Sequence, residues 1–87
     1  MKLIITILSD DDIESVVQAL TATSFRMTRV ASTGGFFRKG YTTLLIGVED
    51  NKVDSAIDLI RKSLAPSKEK QPKATVFVVP VERFEQI

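Results

Sequence analysis

The chain contains no cysteine and no histidine. Without cysteine there is no disulfide, no thiolate metal site and no thiol nucleophile. Without histidine the commonest general base and the commonest metal ligand are both gone, which argues against an enzyme. An excess of one charge is missing too: twelve Lys and Arg stand against eleven Asp and Glu, for a net charge of +1. No bulk field draws such a chain to nucleic acid or anionic lipid, so any anion site must be local. Long apolar runs are also absent. Residues 1–8 are apolar but far too short for a signal or spanning helix, and Asp10-Asp11-Asp12 follows at once. The expectation is a cytoplasmic protein with no membrane partner. There is no nucleophile–base pairing, no P-loop and no dinucleotide fingerprint.

What is present makes one domain. The 87 residues, 44% hydrophobic and 26% charged, suit a single globular unit spanning 1–87. Its own core is marginal unless something else covers apolar surface. Residues 2–8 form a nearly continuous apolar run, short enough for a strand buried on both faces. Ser9 and the Asp triplet supply an N-cap and first-turn acids for a helix. Ile13, Val16, Val17 and Leu20 make its stripe, and it ends near Thr23. Residues 25–33 read as a strand, 34–40 as a loop and 41–48 as a third strand. Asp50 reads as a second N-cap. Val53, Ala56, Ile57, Ile60 and Leu64 form a second stripe that Pro66 terminates. Residues 65–73 are a solvated connection, 74–79 a fourth strand and 81–87 a short tail.

The order βαββαβ predicts an α+β, ferredoxin-like sandwich with four antiparallel strands and both helices on one face. The first and third strands are then central, and they are the most continuously apolar. Two helices cover only one face. Leu3, Ile5 and Ile7 nevertheless alternate with Ile4 and Leu8, so the first strand is apolar on both sides. Another subunit is the economical cover for the bare face.

The residues with chemical potential cluster around the loop. Arg26 and Thr28 lie two apart on a strand; a guanidinium beside a hydroxyl suits a phosphate clamp, while an edge-strand Arg in solvent is the plainer reading. Gly34-Gly35 reads first as a turn, and Arg38-Lys39 as a solvated tip. Phe36-Phe37 in a loop suggests a partner surface or a nucleobase. Gly47 interrupts a good strand, which often marks close backbone approach. The Asp10-Asp11-Asp12 carboxylates diverge from consecutive positions, so capping is favoured over a metal, and none is expected. An RNA-recognition or structural interaction module shares the βαββαβ order, and Lys39-Gly40-Tyr41 starts a string of its kind. The later stacking positions carry Thr43, Leu45 or Ile46, and the first strand has no ring, so that reading lacks its mechanism and no nucleic-acid partner is expected.

Set together, several strings resemble the PII-like cyclic di-AMP receptor family: Phe25-Arg26, Ala31-Ser32-Thr33-Gly34-Gly35-Phe36, Thr42-Thr43, Ile46-Gly47-Val48-Glu49-Asp50, Lys52-Val53-Asp54, and Ala74-Thr75-Val76-Phe77-Val78 with Pro80-Val81. The resemblance implies a PII-like homotrimer, a non-catalytic signalling sensor with nucleotide held in clefts between subunits and no further cofactor. It implies that Arg26 and Thr28 serve phosphate and ribose. Gly35, Phe36 and Phe37 would contact the base, Gly47 would admit it, and Phe77 and Gln86 would close the pocket. Ser24 stands where the family often has Asn, Tyr41 where Gly-Asn-Thr-Thr is typical, and the 65–73 connection is short. Tyr41 offers a ring that stacks or a hydroxyl that donates one hydrogen bond. The expected ligand is cyclic di-AMP; another adenine nucleotide (ATP, ADP or AMP) on the same scaffold is the alternative.

Overall fold

The apolar run at the start of the chain forms strand β1, Lys2–Ser9, and the sheet is built around it. The computed structural model describes residues 1–30, 40–66 and 72–87. After β1 come α1 (Ile13–Ala22), β2 (Met27–Val30), β3 (Tyr41–Val48), a 3-10 turn (Asp50–Lys52), α2 (Val53–Ser63) and β4 (Ala74–Pro80). The strands make one sheet in the order β2-β3-β1-β4, each neighbouring pair antiparallel. This is the ferredoxin-like α+β arrangement, with β1 and β3 central.

Register decides which residues share a face. Ile4 lies between Ile46 and Val78, Thr6 between Leu44 and Val76, and Leu8 between Thr42 and Ala74. These face the helices: Ile4, Leu8, Leu44 and Ile46 are buried with Ile13, Val16 and Leu20 of α1 and Ala56 and Ile60 of α2. The helical spacing of three and four residues puts each set on one stripe. The Thr6 hydroxyl is buried in this layer without a hydrogen-bond partner among the described residues. On the opposite face Ile5 lies between Leu45 and Phe77, and Leu3 between Gly47 and Val79. Leu3, Ile5, Ile7 and Leu45 are half-buried by their neighbours alone, while Phe77 is 51% exposed. The sheet therefore has the two apolar faces that β1 announces, and among the described residues the helices cover one.

Both helix starts differ from the expectation. α1 begins at Ile13, and Asp12 at its cap makes no side-chain capping bond. The Asp12 carboxylate is buried and turns across the fold. One oxygen accepts from the Ala65 N–H at 3.2 Å, and the other lies 3.1 Å from the Lys73 ammonium, which donates to the Ala65 carbonyl at 2.8 Å. Local capping yields here to a buried ion pair. The Ser9 hydroxyl instead accepts from the Asp11 N–H at 3.2 Å. Asp50 is likewise no cap: it sits in the 3-10 turn and pairs with the N-terminal amine at 2.9 Å, because β1 brings Met1 beside the end of β3. That hydrogen bond, and then the charges of Lys2 and the amine, hold the Asp50 carboxyl below its usual range.

α2 ends at Ser63, with Leu64 already extended two residues before Pro66. β2 is shorter than expected at its start, because residues 24 and 25 belong to the helix cap before it. Residues 31–33 of the expected strand, and 34–39 of the loop, lie outside the described residues. β4 runs one residue further, to Pro80, at a sheet edge where proline is tolerated. Among the described residues no helix is long and apolar enough to cross a membrane.

Candidate functional site

Helix α1 must turn back into β2, and the way it does so places the first candidate residues. The Ser24 N–H donates to the Thr21 carbonyl at 3.0 Å and the Phe25 N–H to the Leu20 carbonyl at 2.9 Å. This pair of bonds is a Schellman cap, whose first residue past the helix adopts the left-handed region. Ser24 does so, with φ 67°. Phe25 then packs against the core, the apolar contact that accompanies the motif. The chain leaves the turn at Arg26, exposed, one residue before β2.

Met27 lies opposite Ile46 in the β2–β3 register, so one step back along β2 Arg26 falls opposite Gly47. A residue without a side chain thus stands beside a guanidinium. The result is an open cleft of about 600 Å³. Ser24, Phe25 and Arg26 line it from the α1–β2 connection; Gly47, Glu49 and Lys52 line it from β3 and the turn beyond. Thr23 also lines it, but its hydroxyl donates to the Ala19 carbonyl at 2.9 Å and is committed to the helix end. Gly47 is not demanded by its packing. A Cβ there would meet the movable Met1 Cε at 3.1 Å and nothing else within 4 Å among the described residues.

The electrostatics of the cleft follow from which cations are engaged elsewhere. Arg29 pairs with Glu14 at 3.1 Å, Arg61 with Asp58 at 3.0 Å, Lys73 with Asp12 and Arg83 with Glu85. Among the described residues Arg26 and Lys52 have no ion-pair partner, and both line the cleft. Two uncommitted cations beside an open backbone suit a phosphate-bearing ligand. The acidic triplet does not gather: Asp10 accepts from the Thr42 hydroxyl, Asp12 points to Ala65 and Lys73, and Asp11 is exposed.

The other candidates lie apart from this cleft. Thr28 is exposed two residues on from Arg26, opposite Leu45 on the sheet face away from the helices. Tyr41 is on that face too, six residues before Gly47 on the same strand and therefore about 20 Å away along it. Phe77 is on β4, three strands from Thr28 and about 14 Å across the sheet. Gln86 is exposed in the tail. One chain thus brings together Ser24, Arg26 and Gly47, and does not bring them to Tyr41, Phe77 or Gln86. Gly35, Phe36 and Phe37 lie outside the described residues. Sequence reasoning gave no site role to Lys52 or Glu49. Their signal was topological: residues just before β2 and just after β3 must share one end of an antiparallel pair.

Comparison with known proteins agrees with this fold. The crystal structure of a functionally unknown protein from Pediococcus pentosaceus is similar with a TM-score of 0.79 at 33% identity, over 99% of this chain and 96% of that one. A family model described as cyclic-di-AMP receptor matches residues 1–71. That span contains every element contributing to the cleft, from the cap at Ser24 through Gly47 to the turn at Lys52. On this evidence the chain belongs to the cyclic-di-AMP receptor family.

Proposed function

We propose that this protein is a non-catalytic, PII-like signalling protein of the cytoplasm that binds cyclic di-AMP in clefts between the subunits of a homotrimer. The observation that carries the reading is the Arg26–Gly47 cleft, where an uncommitted guanidinium adjoins a strand glycine whose missing side chain its own fold does not require. The cleft opens at the end of β2 and β3, next to a sheet face of Leu3, Ile5, Ile7, Leu45 and Phe77 that the helices leave bare. A neighbouring subunit seated on that face buries it and supplies the second wall of the site. This also accounts for the scatter of the family's positions: Ser24, Arg26, Thr28 and Gly47 act from one subunit, and Phe77 and Gln86 act from another. Gly35, Phe36, Phe37 and Tyr41 complete the base pocket in this reading. Arg26 holds a phosphate, and sensing follows from binding without bond-breaking chemistry.

The test is calorimetric titration with cyclic di-AMP, ATP, ADP and AMP. Cyclic di-AMP is expected to bind in preference. Arg26→Ala is expected to leave the fold intact and weaken binding by about 2–5 kcal/mol, the range for truncating one partner of a desolvated charge pair. Preference for ATP, ADP or AMP overturns the ligand, and unchanged affinity in Arg26→Ala overturns the clamp.

A further inference from the structure

We infer that Lys52 is a second phosphate contact in the cleft, and that Glu49 beside it selects ligands of the phosphodiester class over phosphomonoesters and polyphosphates. The inference rests on the cyclic dinucleotide reading above and adds the residues that set its charge preference.

Glu49 and Lys52 flank one short turn, closed by the Lys52 N–H donating to the Glu49 carbonyl at 2.9 Å. Both side chains are exposed and both line the cleft, yet they form no ion pair with each other. The turn is anchored at its base, because Asp50 within it holds the N-terminal amine at 2.9 Å. A cation and an anion therefore stand on an anchored turn at the β3 side of a cleft whose β2 side carries Arg26. Arg26 and Lys52 contribute two positive charges and Glu49 one negative; Met1 also lines the cleft, and its amine is neutralised by Asp50. The described lining thus carries one net positive charge. A phosphodiester group brings one negative charge, which this balance meets; cyclic di-AMP carries two such groups on opposite sides of its ring, so one cleft meets one of them. A phosphomonoester brings about two near neutral pH, and a triphosphate more. The surplus must sit near the Glu49 carboxylate, where like charges repel.

The experiment is titration of the full chain with cyclic di-AMP and with ATP at fixed ionic strength, for the parent, Lys52→Gln and Glu49→Gln. Thermal unfolding monitors the fold, which these exposed positions should not disturb. Lys52→Gln is expected to weaken cyclic di-AMP roughly ten-fold and to flatten its salt dependence. Glu49→Gln is expected to tighten ATP roughly five-fold and cyclic di-AMP by less, so that the preference for cyclic di-AMP narrows. Parental affinity in Lys52→Gln overturns the contact. Equal shifts for both ligands in Glu49→Gln overturn the selection. A parent that prefers ATP overturns the proposed ligand and the selection together, and Lys52 is then judged on ATP: loss supports the contact, no change overturns it. A parent that binds neither overturns both readings.

Discussion

At Ser24 the backbone sets the requirement. The Schellman cap needs a left-handed residue, and a serine there carries a Cβ that glycine lacks. The asparagine common at this position in the resembling family tolerates that conformation better than most side chains. Ser24→Gly is expected to raise stability by about 0.5–1 kcal/mol, the steric relief less the added freedom of the unfolded chain. Chemical denaturation reads this directly, and a loss of stability would remove the conformational account of the position. Gly47 is the converse case, because its backbone carries no such requirement and its neighbour Met1 Cε can move. Gly47→Ala is therefore expected to leave unfolding unchanged or slightly improved. Overfilling the cleft should meanwhile cost about 1–3 kcal/mol of cyclic di-AMP binding. If stability and binding fall together, the glycine serves the fold.

Among the elements, the start of α1 is tied to the far end of the chain by Asp12. Its carboxylate accepts from Ala65 just past α2 and pairs with Lys73 just before β4. Both ends of the 66–72 segment are thereby fastened to one buried group. Asp12→Asn is expected to cost about 1–3 kcal/mol, less than a fully buried pair because Lys73 keeps some solvent. Adding Lys73→Met should recover part of that loss, since it removes the cation left without its partner. A double-mutant cycle by denaturation measures the coupling, and strictly additive losses would deny it. The same arrangement explains why local rules misread this helix start. An Asp before a helical stripe looks like a cap, but a cation 61 positions away in sequence offers it a better partner.

For the whole molecule, the sheet face that the helices leave bare is the controlling feature. Ile5 lies at its centre between Leu45 and Phe77, pointing away from the helix layer. Ile5→Lys is expected to spare the core of Ile4, Leu8, Leu44 and Ile46 and to break the proposed trimer. Light scattering should give three times the chain mass for the parent and the monomer mass for the variant, with the helical and strand signal retained. Cyclic di-AMP binding should fall with assembly, because the second wall of the site leaves with the neighbouring subunit. A parent that scatters as a monomer would remove the intersubunit site altogether.

Much of this was fixed locally and so was legible in sequence. The short apolar runs in residues 2–8 and 41–48 and the helical stripes at 13–20 and 53–64 carry the element order, and that order with β1's double apolarity yields the sheet topology. Arg26 and Gly47 were visible as candidates because a cation and a strand glycine are unusual residues wherever they fall. Their meeting was decided by strand pairing, which sets Met27 against Ile46 and so brings positions 21 residues apart to one sheet end. Lys52 and Glu49 entered the cleft the same way, through the 3-10 turn that follows β3. Asp12 and Asp50 show the limit most plainly. Their types suggest caps, but each carboxylate took the cation that tertiary packing delivered, Lys73 to one and the N-terminal amine to the other. Periodicity acts within an element and can be read from it; pairing between charges depends on distances that exist only once the elements are packed.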